Sequence, residues 1–299
     1  MKGQPAEGLR EGFVEFDWAG RRVRIEHAWV GERASSEAPL IVFLHEGLGS
    51  VAMWRDFPER LCHAVGARGL VYSRPGYGRS TPRAPGERWA PDFMHRQAHE
   101  VLPALLAALG IGGGAGGSSG GPWPAPLWLF GHSDGGSIAL LHAARPEAQV
   151  APLAGIVVMA PHIFVEDVSV QSIAKAREAY AATDLRARLA KYHDDPDSAF
   201  RGWNDAWLDP AFRSWNIEAE LEGIRCPVLA MQGLADEYGT LEQIRGIARR
   251  VPGTRLLEIP ECGHSPHRDQ PATVIDAVRA FMQEQARRVP GSAEARRAS

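Results

Sequence analysis

Residues 13–30 alternate apolar and polar side chains on either side of Ala19-Gly20, a period of two that predicts an antiparallel hairpin with one buried face. At 40–44 the alternation gives way to an unbroken run, Leu-Ile-Val-Phe-Leu, which predicts a strand covered on both faces. Further strands are predicted at 70–72, 127–130, 156–159, 228–232 and 255–259. Between them the spacing lengthens to that of a helix, at 54–65, 93–109, 136–144, 241–250 and 272–285. Strand and helix take turns, joined by short glycine-containing loops. That order predicts an α/β fold on a doubly wound, mostly parallel sheet, with functional groups collecting at the carboxyl ends of the strands.

Two stretches depart from this rhythm. Residues 112–121 are nearly all Gly, Ser and Ala and are closed by Pro122 and Pro124. Such a composition cannot pack a core and reads as a flexible surface connection. A phosphate-cradling loop would need a Lys-Ser/Thr pair and a helix start after it, and neither follows. From 162 to 223 the pattern changes to amphipathic helices rich in Ala, Arg, Asp and Trp. The expected organisation is a core in two parts, 1–161 and 224–289, separated by a helical lid insertion at 162–223, with a small, charged, flexible tail at 290–299.

Composition then narrows the function. With 33 Lys plus Arg against 36 Asp plus Glu, the net charge is -3, which offers no electrostatic footprint for nucleic acid or an anionic membrane. Cys62, Cys226 and Cys262 are scattered and imply neither a disulfide framework nor a metal cluster. The first twelve residues are polar, without the apolar run of a secretory leader, and the apolar stretch at 150–165 is broken by Pro152, Pro161 and His162. The expectation is a cytoplasmic enzyme acting on a small molecule, with no metal or organic cofactor.

The candidate chemistry sits where the fold argument places it. Gly131-His132-Ser133-Asp134-Gly135 follows one predicted strand and precedes a helix. A nucleophile held at the tip of a strained strand-to-helix turn needs neighbours without Cβ, and the helix N-terminus beneath it favours developing negative charge. A serine hydroxyl is a poor nucleophile and needs a base and an orienting carboxylate. Asp236 lies just past the strand at 228–232, and His264, preceded by Gly263, lies just past the strand at 255–259. His267 and Glu237 are the alternatives within the same loops, and Glu166 or Asp167 would supply a carboxylate after the preceding strand. His132 should point away from Ser133 into the packing beneath the turn. Cys262 reads as a small residue at a strand end, since nothing activates it.

With the loop after the first parallel strand, the Gly-x-Ser-x-Gly turn, the Gly-x-x-Asp loop and the Gly-His loop in this order, the chain resembles the α/β-hydrolase superfamily. That group contains enol-lactonases, carboxylesterases and C–C hydrolases of meta-cleavage products. The resemblance implies Ser133 as nucleophile, His264 as general base and then acid, and Asp236 as its orienter. It also implies an oxyanion hole built from the N–H of Asp134 and a second N–H from His45-Glu46-Gly47-Leu48-Gly49, at Gly47 or Leu48. Glu46 stands where the family usually has glycine: it either turns outward into a structural hydrogen bond or binds a polar substrate group or water. Ser73-Arg74-Pro75-Gly76-Tyr77-Gly78-Arg79-Ser80 resembles a family loop usually begun by Asp and is read as structural, with an Arg tying loops together.

Trp203, Trp207 and Trp215 in the insertion either line a substrate pocket or form the insertion's own small core. Arg177, Arg186 and Arg201 read as surface charges unless they meet a substrate carboxylate. The expected activity is hydrolysis of a small carboxylic ester or lactone through an acyl-enzyme on Ser133. The alternatives are C–C cleavage of a meta-cleavage-type diketone, an aminopeptidase, or a non-catalytic ligand receptor. Dehalogenation is disfavoured, because it uses Asp at the nucleophile position.

Overall fold

The computed structural model describes residues 10–31, 34–35, 37–112, 125–146 and 151–288. The glycine-rich stretch from 113 onward and the tail at 290–299 lie outside the described residues. Strands β1 (Arg10–Trp18) and β2 (Arg21–Val30) form the expected hairpin. Ala19 and Gly20 both take positive φ, 51° and 75°, as a tight two-residue turn between right-twisted strands requires. Six more strands follow: β3 (Leu40–Leu44), β4 (Arg68–Tyr72), β5 (Leu127–His132), β6 (Leu153–Met159), β7 (Val228–Gly233) and β8 (Arg255–Ile259). They make one eight-stranded sheet in the order β1-β2-β4-β3-β5-β6-β7-β8. The hairpin pairs antiparallel with β4, and every pairing from β4 to β8 is parallel.

The uninterrupted apolar runs are explained by the two covered faces. Leu40, Val42 and Leu44 of β3 join one apolar cluster, while Ile41 and Phe43 join another on the opposite face. Helices α2 (Phe93–Arg96), α3 (Leu102–Ala108) and α4 (Asp134–Ala143) cover the first face through Met94, Leu105, Ile138 and Leu141. Helices α1 (Phe57–Val65) and α10 (Pro271–Arg288) cover the second through Leu61, Val278 and Phe281. Each such side chain fully buried stabilises the fold by roughly 1.5–3 kcal/mol.

Three further helices, α5 (Asp167–Ala182), α6 (Leu185–Leu189) and α7 (Pro196–Trp207), connect β6 to β7; α8 (Glu242–Arg250) and α9 (Pro266–Asp269) follow later. Trp203, Trp207, Phe212 and Trp215 belong to the same cluster as the first sheet face, so the segment has no separate core. No helix among the described residues is long and apolar enough to cross a membrane.

Two expected helices differ in detail. The one at 93–109 is broken by a π-turn, Gln97–Val101, in which Leu102 N–H donates to Gln97 O. Pro103 has no N–H to give to the carbonyl four residues earlier, and the ladder shifts by one residue ahead of it. Helix α4 begins at Asp134 rather than Gly136, because the turn before it is completed in the single residue Ser133.

Candidate active site

Ser133 occupies a backbone conformation that L-residues rarely adopt, φ 52° and ψ -120°, between the end of β5 and the first turn of α4. The flanking glycines make the turn sterically feasible. A Cβ on Gly131 would collide with the carbonyl of Gly135, and one on Gly135 with the carbonyl of Leu44 at the end of β3. The turn is therefore nested against the neighbouring strand with no room for a methyl group.

The loops after β7 and β8 meet in the same way. A Cβ on Gly233 would strike the Cys262 carbonyl, and Ala235 N–H donates to that carbonyl at 2.9 Å. This close approach brings Asp236 to His264. Ser133 Oγ–H donates to His264 Nε2 at 3.0 Å, and His264 Nδ1–H donates to Asp236 Oδ1 at 2.8 Å. Asp236 also accepts from Tyr238 N–H (2.8 Å) and Gln232 Nε2 (3.1 Å).

The charges follow from these contacts. Burial disfavours the imidazolium of His264, but the hydrogen bond and charge of Asp236, with Glu237 and Glu46 nearby, hold its pKa above the ordinary value. Burial likewise opposes the Asp236 carboxylate, and the hydrogen bond and charge of His264 together with Tyr238 N–H and His162 outweigh it, leaving that pKa lowered.

Arg74 lies behind the serine turn and the loop after β3, and neither it nor Asp134 exposes any side-chain surface. Its Nη2 donates to Glu46 O at 2.8 Å and stands 3.7 Å from Asp134 Oδ2. The same Glu46 carbonyl accepts from His45 Nδ1 at 2.7 Å and Gly49 N–H at 3.1 Å. His45 Nε2 in turn accepts from Arg74 N–H at 3.0 Å, which fixes its tautomer. Burial and the Arg74 charge push the His45 pKa well down, so the ring is neutral.

A cavity of about 240 Å³ opens in front of Ser133. Gly47, Leu48, Asp134 and His264 surround the serine, and Glu46, Trp203 and Trp207 extend the wall. The Trp203 indole packs so closely over Gly47 that a Cβ there would collide with it. Trp207 Nε1 donates to Asp134 Oδ1 at 3.1 Å.

Trp215 is not on this wall; it stacks on Phe212, with ring centroids 5.3 Å apart, inside the apolar cluster. A short 3-10 turn, Pro210–Ser214, separates it from α7. His132 is buried in the packing, as expected, with its ring centroid 6.4 Å from Trp54 and 4.9 Å from His267; its Nε2 donates to His264 O at 2.7 Å, and the residue also borders the cavity. Glu46 turns inward, with Oε2 3.6 Å from His132 Nδ1 and Oε1 3.5 Å from Arg268.

The alternatives are engaged elsewhere. Glu166 accepts from Thr240 and Gln243, and Asp167 pairs with Arg213. The Glu237 carboxylate accepts from the backbone N–H of His264, not from its ring. His267 is buried between Trp54 and His132, with ring centroids 5.1 and 4.9 Å away. Burial, with Asp269 nearby, pushes the Cys262 thiol up to about 11. Arg177 and Arg186 pair with Asp205 and Asp197 on the surface.

His162 and Tyr238 line the cavity and were not singled out by the sequence reading. His162 follows the end of β6, so the strand-end rule that selects Asp236 and His264 could have found it. His193, also not singled out, has no such signal: it bridges Leu48 O (2.9 Å) and Gly78 N–H (2.9 Å) from a loop far along the chain.

A sequence model of the alpha/beta hydrolase family matches residues 41–277. The chain is 26% identical over 261 residues to the pimeloyl-(acyl-carrier protein) methyl ester esterase of Aromatoleum aromaticum, covering 80% of this chain and 98% of that protein. It is 26% identical over 271 residues to the 2-succinyl-6-hydroxy-2,4-cyclohexadiene-1-carboxylate synthase of Klebsiella pneumoniae, covering 82% and 94%. The fold of the enol-lactonase from Burkholderia xenovorans superposes with a TM-score of 0.63 at 21% identity, over 87% of this chain and 97% of that one. The chain belongs to the alpha/beta hydrolase family. The protein is accordingly an enzyme of the hydrolase type.

Proposed function

We propose that the protein is a serine hydrolase that cleaves a small carboxylic ester or lactone through an acyl-enzyme on Ser133. The observation that carries this reading is the unbroken chain Ser133 Oγ, His264 Nε2, His264 Nδ1, Asp236 Oδ1, with links of 3.0 and 2.8 Å, at the wall of a cavity. His264 takes the Ser133 proton as the oxygen attacks the substrate carbonyl. It then delivers that proton to the leaving alkoxide, and a water molecule repeats the sequence on the acyl-enzyme. Asp236 stabilises the imidazolium at each stage.

The oxyanion that forms is met by two backbone N–H groups. Asp134 N–H heads helix α4, where the first N–H groups have no acceptor within the helix. The second is assigned to Gly47 rather than Leu48. The carbonyl of the Glu46–Gly47 peptide is held from behind by Arg74 and His45, and in a trans peptide the N–H points the opposite way. A cavity of about 240 Å³ walled by Leu48, Ile173, Trp203 and Trp207 suits a small acyl or lactone group. The helices of residues 162–223 act in this reading as a lid that keeps bulk water from the acyl-enzyme.

Ser133→Ala tests the assignment. Turnover of short-chain aryl esters should fall by about 10⁴-fold or more, with an unchanged melting temperature, and a fluorophosphonate probe should label the native protein at Ser133 only. Activity retained by the purified variant would overturn the reading.

A further inference from the structure

We propose that Arg74 is a positioning residue of the oxyanion hole, acting on both of its backbone donors without touching the substrate. The inference rests on the serine-hydrolase reading above. One guanidinium reaches both halves of the hole. Its Nη2 donates to the carbonyl of the Glu46–Gly47 peptide at 2.8 Å and lies 3.7 Å from the carboxylate of Asp134. It thereby ties the loop after β3 to the turn after β5, whose N–H groups must converge on one oxygen atom.

A stability role alone accounts poorly for this arrangement. Arg74 and Asp134 are both 0% exposed, yet no hydrogen bond joins them, and among the described residues Arg74 Nη1 and Asp134 Oδ2 have no hydrogen-bond partner. A buried ion pair satisfied so incompletely is a weak contributor to folding. Its placement serves the site in three ways. Drawing the Glu46 carbonyl backward turns the Gly47 N–H forward. The positive charge behind that peptide polarises it and strengthens the N–H as a donor. The guanidinium also offsets the Asp134 carboxylate, which would otherwise oppose the negative charge forming beside Asp134 N–H. His45 completes the assembly, bonding the same carbonyl through Nδ1 and accepting Arg74 N–H through Nε2.

The test compares matched ester and thionoester substrates. Sulfur is larger than oxygen and a weaker acceptor, so thionoester turnover depends less on the two N–H donors. Arg74→Lys keeps a charge, but its ammonium ends one bond short of the Nη2 position from which both contacts are made. It should lower kcat on the ester by about tenfold or more, leave KM within about threefold, and shrink the ester-to-thionoester ratio of kcat. Arg74→Met with Asp134→Asn removes both buried charges, so the fold is not left with an unpaired carboxylate. This double variant should show the same fall in the ratio at a near-native melting temperature. If either variant lowers both substrates equally, or the folded double variant keeps the native ratio, Arg74 serves only packing and charge balance and the proposal is overturned. Failure of the fluorophosphonate probe to label native Ser133 would instead overturn the serine-hydrolase reading, and this inference with it.

Discussion

Asp236→Asn keeps the shape of the side chain and removes its charge, so it isolates what the carboxylate does for His264. In the native site Oδ1 accepts from His264 Nδ1 and Tyr238 N–H, and Oδ2 accepts from Gln232 Nε2. Gln232 cannot readily turn away, since its Nε2 also donates to Gly239 O at 2.8 Å. An amide has one oxygen for these three donors. With that oxygen at the Oδ1 position, its NH₂ opposes the Gln232 NH₂. In the reverse orientation its NH₂ opposes Tyr238 N–H, and His264 must carry its proton on Nε2, where it no longer accepts from Ser133.

In both orientations the imidazolium formed during attack loses a neighbouring charge. Two charges about 4 Å apart in an effective dielectric constant of about 20 interact by about 4 kcal/mol. That is about a thousandfold in rate. The expected result is a kcat/KM on an aryl ester lower by about 10³, with a melting temperature only a few degrees lower because one buried donor is left opposed. The proposed mechanism needs neutral His264, so kcat/KM should rise with pH through the pKa of that residue. Asp236 is what holds this pKa above its ordinary value against burial, so in the Asn variant the rise should begin at lower pH. A loss smaller than tenfold, or an acid limb that stays in place or moves to higher pH, would refute the reasoning.

Other consequences are equally direct. Gly135→Ala drives a methyl group into the Leu44 carbonyl and should cost about 3 kcal/mol or more, whereas Gly66→Ala, with φ 66° and open space around it, should cost about 1 kcal/mol; equal shifts in melting temperature would contradict the nested turn. Burial lowers His142 to about 4 and His162 to about 3, below the ordinary 6.5, so the unfolded chain takes up protons that the native state refuses. Stability should therefore fall as pH drops from about 7 to about 5, by about 2 kcal/mol for each histidine, and urea unfolding midpoints that do not fall would contradict it. Glu46 stays ionised because His132 and Arg268 outweigh the effect of its burial, and among the described residues no Lys or Arg lines the cavity. An ester with a carboxylate in its acyl group should react at least about tenfold more slowly than its neutral isostere, and Glu46→Gln should narrow that gap; equal native rates would exclude the effect.

The amino-acid sequence by itself determined the features whose causes are local. The unbroken apolar run at β3 could be read as a doubly covered strand because burial on both faces leaves no polar position in the repeat. Ser133 could be read as strained because glycines flank it at the spacing a sharp turn demands, and Asp236 and His264 because each follows a strand within a few residues. Only the tertiary structure decided what depends on how distant segments dock. Arg74 and Asp134 are 60 positions apart, and nothing in either neighbourhood foretells that they share one buried space. Ser73 stands where a carboxylate is usual, and the fold supplies one from β2: Ser73 Oγ donates to Glu26 Oε2 at 2.7 Å. Trp203 and Trp207 reach the cavity while Trp215 stacks on Phe212 instead, a difference that appears only when the segment docks on the sheet. Strand and turn propensities act over a few residues, whereas the site's shape and charge come from groups that meet only when the sheet and the helices around it close together.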